Sequence, residues 1–140
     1  MALAESETET WGTPYYVAPE KIKREPETFL SDMYSLGGTL YQSLTGHVPF
    51  EAPTVEELVT AHVQTPLTPP NLVAPEVTQL TSDALVKVMS KNPADRYLSY
   101  LEFSYALEMS RAQLLFQQST GQQVPEADKK VKTRTGWWRR

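Results

Sequence analysis

The sequence contains no cysteine, which removes several chemistries at once. Disulfides, thiolate metal sites and cysteine nucleophiles are excluded. That is compatible with a reducing compartment. No apolar run approaches the ~18 residues a membrane-spanning helix needs. The stretch from Met1 to Glu7 has neither the basic flank nor the apolar core of a secretion signal. Histidine is scarce: His47 and His62 are the only two. Neither has a second ligand at metal-binding spacing, so both read as solvated or edge histidines. Glycine is also scarce, six in 140 residues. The one adjacent pair, Gly37-Gly38, falls inside a helical pattern without the strand and lysine of a phosphate-binding loop. Ser35, Ser43 and Ser82 have no nucleophile elbow and no partnered histidine, so no hydrolase constellation is present. There is no internal repeat.

What is present is one domain's worth of chain, or part of a larger domain. An apolar fraction of 40% is enough for a packed core. Charge is unevenly placed. Residues 1–118 hold seven Lys/Arg and fifteen Asp/Glu, a net of −8; residues 119–140 hold six and two, a net of +4. The acidic body argues against a nucleic-acid partner, because phosphate neutralisation needs a clustered basic face. Tyr97, Tyr100, Phe103 and Tyr105 read as core and rim rather than as a base-stacking platform.

Residues 1–10 are polar and acidic, and alone they would be disordered. Gly12 and Pro14 punctuate a loop, and Pro19 starts a helical turn to Ile22. Lys23 to Thr28 is a charged loop. Ser31 then reads as the cap of a helix to Thr45, with Asp32 at its positive end and Gly46 just past its terminus. Leu30, Met33, Tyr34, Gly37, Leu40, Tyr41 and Leu44 form its apolar face. Its other face, Ser35, Gly38, Thr39, Gln42 and Ser43, carries no charge, so this helix reads as buried on most sides with small residues admitting close neighbours. Thr54-Val55-Glu56-Glu57 is a capping box opening a helix to about Val63. Pro66, Pro69, Pro70 and Pro75 exclude a regular element from residues 64–80. Thr81 or Ser82 caps a helix that buries Leu85, Val88 and Met89 and that Asn92-Pro93 stops. Ser99-Tyr100-Leu101-Glu102 opens a last helix to about Gln118, with Phe103, Ala106, Leu107 and Leu114 on one face. The fold class is mainly α, with long proline-rich connections and no confident strand.

Three separated segments carry a resemblance. Trp11-Gly-Thr-Pro-Tyr-Tyr-Val-Ala-Pro-Glu20 comes first, Ser31-Asp-Met-Tyr-Ser-Leu-Gly37 second, and Asn92-Pro-Ala-Asp-Arg-Tyr97 third. In that order, joined by helices of fitting length, they resemble the end of the activation segment and the helical lobe of a bacterial-type serine/threonine protein kinase. The match runs from about Trp11 to Arg111. It implies a partial kinase-like fold, the helical lobe without the N-terminal β-lobe. The chain then divides into residues 1–10, a disordered remnant of the activation segment; 11–118, the lobe fragment; and 119–140, a basic linker or tail. By the same resemblance, Gly12, Thr13, Pro14, Tyr15 and Tyr16 form the loop that receives the substrate residue after the phosphoacceptor. Glu20 pairs with Arg96, Asp32 anchors the catalytic-loop backbone, and Thr8 and Thr10 lie where activation-loop phosphates are placed.

The family's glycine-rich loop, its Val-Ala-Ile-Lys lysine, its His-Arg-Asp loop and its Asp-Phe-Gly are not found in these 140 residues. Those parts hold ATP, Mg²⁺ and the nucleophile, and phosphoryl transfer is catalysis by positioning and charge neutralisation. Nothing else here could supply the ~8 kcal/mol or more that an enzyme contributes. The expectation is a chain with no catalytic residue, no metal and no cofactor of its own, ATP and Mg²⁺ belonging to the parent family, and inactive alone. The other expectation is a non-catalytic binding or scaffold module. In either case a helix normally covered by the missing half leaves apolar surface open. Even ~300 Å² of it forfeits ~7 kcal/mol, so a protein partner or the missing kinase half is expected. The tail from Lys129 to Arg140, with Trp137 and Trp138, reads as a solvated linker or as a weak contact for anionic membrane. The location implied is cytoplasmic and membrane-proximal.

Overall fold

The structure, a computed structural model, describes residues 14–121. Thr8, Thr10, Gly12, Thr13 and the basic tail from residue 122 lie outside the described residues. Among the described residues six α-helices and one 3₁₀ turn follow in order: α1 (Pro19–Ile22), α2 (Phe29–Thr45), α3 (Val55–Gln64), α4 (Pro70–Val73), α5 (Gln79–Val88), the 3₁₀ turn Pro93–Asp95, and α6 (Tyr100–Gly121). There is no strand among the described residues. No described helix is long and apolar enough to cross a membrane.

α1 begins with Pro19, whose fixed φ suits a first helical turn. α2 starts three residues before the sequence suggests. Its cap is Thr28, whose hydroxyl accepts from the Leu30 amide at 3.1 Å, while the Ser31 hydroxyl faces the Thr28 amide at 3.4 Å. Ser31 is therefore the third residue of a reciprocal cap and not the cap itself. At the other end Gly46 adopts φ 77°, the left-handed region where a side chain would be strained, and its amide closes on the Gln42 carbonyl at 2.8 Å.

α2 is the axis of the core. Met33, Tyr34 and Tyr41 are buried against Leu85, Val88 and Met89 of α5 and its C-cap, and Phe103 of α6 joins them. Each large apolar side chain fully buried this way stabilises the fold by about 1.5–3 kcal/mol. The two helices meet at Gly37, where an added Cβ would lie 2.5 Å from Val88 Cγ1 and 3.0 Å from Met89 Cγ. Burial is one-sided, however: Asp32, Leu36, Thr39, Gln42, Ser43 and Leu44 are exposed. The uncharged second face of α2 is only partly covered.

α3 is capped by Thr54, whose hydroxyl accepts from the Glu57 amide at 3.1 Å. The proline-rich connection does contain one regular turn, α4, begun by Pro70 at a position where proline is favoured. Tyr41 anchors that connection by donating to the Thr68 carbonyl at 2.9 Å. α5 is capped by Thr78 rather than by Thr81 or Ser82. Thr78 Oγ1 accepts from the Thr81 amide at 3.2 Å, and Ser82 is buried, donating to Asn71 Oδ1 at 3.0 Å. α6 starts as its capping box suggests: Ser99 Oγ accepts from the Glu102 amide at 3.1 Å, and Glu102 Oε2 accepts from the Leu98 amide at 3.0 Å. Tyr97 stacks on the buried Phe103 at 5.3 Å. After Ser110 no residue of α6 is buried; Phe116 is 68% exposed.

Candidate functional site: a docking loop held on the helical core

The segment entering α1 is fastened along one line of α2. The Tyr16 carbonyl accepts from Ser35 Oγ at 2.7 Å. The Tyr16 ring lies over Gly38, where an added Cβ would be 3.1 Å from Tyr16 Cδ1. The Tyr16 hydroxyl donates to Gln42 Oε1. Ser35, Gly38 and Gln42 stand at i, i+3 and i+7, one stripe of a helix. A larger residue at Gly38 or a charged one at Ser35 would lift this strand of chain off its support. Pro14 is buried, and Tyr15 and Tyr16 are half-buried, edge to face with centroids 6.4 Å apart. Gly12 and Thr13 lie outside the described residues.

Below the loop, Glu20 and Arg96 form a buried two-pronged ion pair. Arg96 Nη1 donates to Glu20 Oε2 at 2.7 Å and Arg96 Nη2 to Glu20 Oε1 at 2.9 Å. Ser31 Oγ adds a third donor to Glu20 Oε2 at 2.8 Å. The guanidinium also donates to the carbonyls of Leu30 at 2.7 Å, Ser90 at 2.9 Å and Lys91 at 3.3 Å. It thereby joins α1, the start of α2 and the loop after α5. Burial alone would push the Glu20 carboxyl up; the hydrogen bonds from Arg96 and Ser31, with the guanidinium's charge, outweigh it and hold the carboxyl below its ordinary range.

Arg96 lies over the Tyr34 ring at 4.9 Å. Tyr34 Oη is in turn 2.7 Å from His62 Nδ1. His62 is fully buried, contrary to its reading as an edge or solvated histidine. It stands on the apolar face of α3 with Leu58 and Val59, edge to face with Phe50 at 5.0 Å. Burial, with the nearby Lys91 charge, pushes its pKa down to about 4, and the backbone carbonyls of Pro14 and Tyr15 pull the other way. Those carbonyls act on the ring without completing a hydrogen bond to Nε2. Lys91 itself sits over the Phe50 ring at 4.2 Å, and its ammonium donates to the Ala61 carbonyl at 3.2 Å; burial brings its pKa down to about 8. The pairing of Tyr34 with His62 is not legible in the sequence, where Tyr34 reads as core and His62 as a solvated or edge histidine. Position on the apolar stripe of α3 was the available signal.

Asp32 is exposed, on the wall of a cleft of about 230 Å³ lined also by Tyr16, Lys21, Glu27, Ser31 and Ser35. The one cation in its lining, Lys21, is paired with Glu27 at 3.8 Å.

A loop fastened to a central helix, closed below by a buried arginine–carboxylate pair, is the architecture of a protein-kinase helical lobe. The protein kinase domain family matches residues 1–124, and the chain belongs to that family. Serine/threonine-protein kinase Pkn1 of Myxococcus xanthus is 35% identical over 102 residues, 73% of this chain and 15% of that protein. PknD of Mycobacterium tuberculosis is 37% identical over 89 residues, 63% of this chain and 13% of that protein. PknE of Mycobacterium tuberculosis is 32% identical over 103 residues, 74% of this chain and 18% of that protein. The chain thus spans less than a fifth of each of these relatives.

Proposed function

We propose that these residues are the docking and scaffold part of a serine/threonine protein kinase domain whose parent activity is ATP-dependent phosphorylation of Ser or Thr in proteins. We further propose that the 140-residue chain alone transfers no phosphate. The observation that carries this reading is Tyr16, fixed to α2 through its carbonyl, ring and hydroxyl. A peptide laid across such a loop meets a rigid floor, which is the requirement for positioning catalysis. The sequence motifs that would hold nucleotide and metal are not among the 140 residues. Under this reading Asp32 serves the start of α2, with its dipole, and awaits a catalytic loop.

A second reading, a non-catalytic binding or scaffold module, is favoured by the apolar side chains open on α2 and α6: Leu36, Leu44, Leu101 and Tyr105 are all exposed. The occupant in that case is a protein surface. Incubating the purified chain with labelled ATP, Mg²⁺ and a Ser/Thr-rich protein tests the first reading. No label should move, and transfer would overturn the claim of inactivity. Adding a separately expressed polypeptide with the glycine-rich loop, His-Arg-Asp and Asp-Phe-Gly of a related kinase then separates the two. Restored transfer favours the kinase part; stable association without transfer favours the module.

A further inference from the structure

α6 is apolar on two opposite faces. Phe103 and Ser110 are buried against the lobe, with Ala106 and Leu107 half-buried beside them. At about 100° per residue, Leu101, Tyr105, Ala112 and Phe116 fall about 140–180° around the helix from Phe103, and Met109 about 120°. All five are exposed, Leu101 at 79% and Tyr105 and Phe116 at 68%. They follow one another at steps of three or four residues, so they form one continuous stripe. An outward helix face normally carries Lys and Glu. In the 22 residues of α6 only Glu102, Glu108 and Arg111 are charged. The stripe points away from the core that Phe103 joins, so a segment laid on the open face of α2 does not settle on it.

Two copies of this stripe fit each other when they run antiparallel. Turning one helix end over end about a point between Glu108 and Met109 sets Leu101 level with the partner's Phe116 and Tyr105 level with the partner's Ala112. Large then meets small, the alternation that lets facing layers interdigitate. Charge matches as well. Glu108 and Arg111 lie on one flank, 3.7 Å apart within the chain. In the antiparallel pair Arg111 comes within two residues, about 3 Å along the axis, of the partner's Glu108. A parallel pair in register would set Glu108 against Glu108 and Tyr105 against Tyr105. The end of α6, where no side chain after Ser110 is buried, would lie along the supported half of the partner's helix. At roughly 100 Å² apiece, Leu101, Tyr105, Met109, Leu115 and Phe116 would bury about 500 Å² a side, about 1,000 Å² in all, the size of a reversible dimer and not of an obligate one.

We propose that α6 is a self-association surface, through which two copies of this chain pair antiparallel along Leu101, Tyr105, Met109, Ala112 and Phe116. Pairing of this kind is independent of the docking role of Tyr16.

Sedimentation equilibrium of the full chain at neutral pH should show a reversible monomer–dimer exchange with Kd of about 1–100 µM. Tyr105→Asp, at a position exposed in the single chain, should weaken pairing about a hundredfold and leave the thermal midpoint of dilute chain unchanged. Glu108→Arg should weaken it about tenfold, and Glu108→Arg together with Arg111→Glu should restore it. The chain has no cysteine of its own, so introduced ones report the register. Under mild oxidation Leu101→Cys and Phe116→Cys should link to each other when mixed. Leu101→Cys alone should not link, its two copies lying about 22 Å apart along the axis. A chain still monomeric at about 1 mM overturns the proposal. So does a dimer that survives Tyr105→Asp, or one that Leu36→Asp abolishes in its place, since that association would run through α2. A Leu101→Cys self-link would mean parallel helices and would overturn it too. A parent chain that pairs only after Trp137→Ser and Trp138→Ser would name its own basic tail as the occupant of the stripe, which is equally fatal.

Discussion

Glu20 and Arg96 stand 76 residues apart in the chain and meet side by side in the core, with two N–H···O bonds of 2.7 and 2.9 Å between them. Both are about 2% exposed. A pair so buried contributes little over an apolar substitute, yet leaving one charge alone is expensive. Arg96→Ala also strips donors from the carbonyls of Leu30, Ser90 and Lys91. It should destabilise the chain by about 3–5 kcal/mol, read as a large fall in the thermal midpoint by circular dichroism. A melt unchanged from the parent would show that the contact holds nothing.

Ser31 separates a cap from a clamp. Thr28→Ala removes only the helix cap and should cost about 1 kcal/mol. Ser31→Ala removes the reciprocal half of that cap and a donor to a buried carboxylate, for about 1–3 kcal/mol. Urea denaturation should rank Ser31→Ala as the more damaging; the opposite order would assign Ser31 to the cap alone.

Gly37 and Gly38 should diverge although they are neighbours. An added methyl at Gly37 meets Val88 and Met89 inside van der Waals distance in the packed interior, and Gly37→Ala should lose about 1–3 kcal/mol. At Gly38 the nearest atom is the Tyr16 ring at 3.1 Å, which has room to shift because it is only half-buried. The helix gain of about 1 kcal/mol from replacing glycine offsets that displacement, so Gly38→Ala should stay near the parent in urea denaturation. It should instead loosen Tyr16, seen as faster chymotrypsin cutting at that residue.

The histidine gives the chain an acid sensitivity with a definite sign. His62 is held neutral in the fold with a pKa of about 4, against about 6.5 in an unfolded chain. Between those values the unfolded chain takes up a proton that the folded chain refuses, so stability falls as pH falls, by about 3 kcal/mol at most. Glu20 acts lower down and in the same direction. Its carboxyl is depressed in the fold, so its contribution is complete above its ordinary value and disappears as pH drops through the folded one. Urea unfolding from pH 7 to 4 should show the first loss, and His62→Gln should remove most of it. A flat profile in the parent would contradict the buried neutral ring.

Much of the helix order was readable because the signals were local. Pro19 at a first turn, the Thr54 and Ser99 boxes and Gly46 past the end of α2 each act within four residues. The caps of α2 and α5 were misplaced for an equally local reason. Thr28 and Ser31, or Thr78, Thr81 and Ser82, are all capping residues, and only the backbone chooses among them. Long-range relations behaved differently. No spacing rule links Glu20 to Arg96; that pairing entered through family resemblance alone. The support of Tyr16 by Ser35, Gly38 and Gln42 was half legible, since small uncharged residues announced a close neighbour without saying which. Burial of His62 was missed because a single polar residue on an apolar stripe looks like an interruption until its partner, Tyr34, is known.

α6 runs 22 residues, but its last buried side chain is Ser110. The remaining turns are fewer than the ~12–15 residues at which an isolated helix becomes even marginally stable in water. Their order is propagated from the nucleus that Ser99 and Phe103 establish, one hydrogen bond at a time. That stretch is coupled cooperatively to events at the far end of its own helix, and losing the Ser99 cap would be felt some thirty ångströms away, at about 1.5 Å of rise per residue.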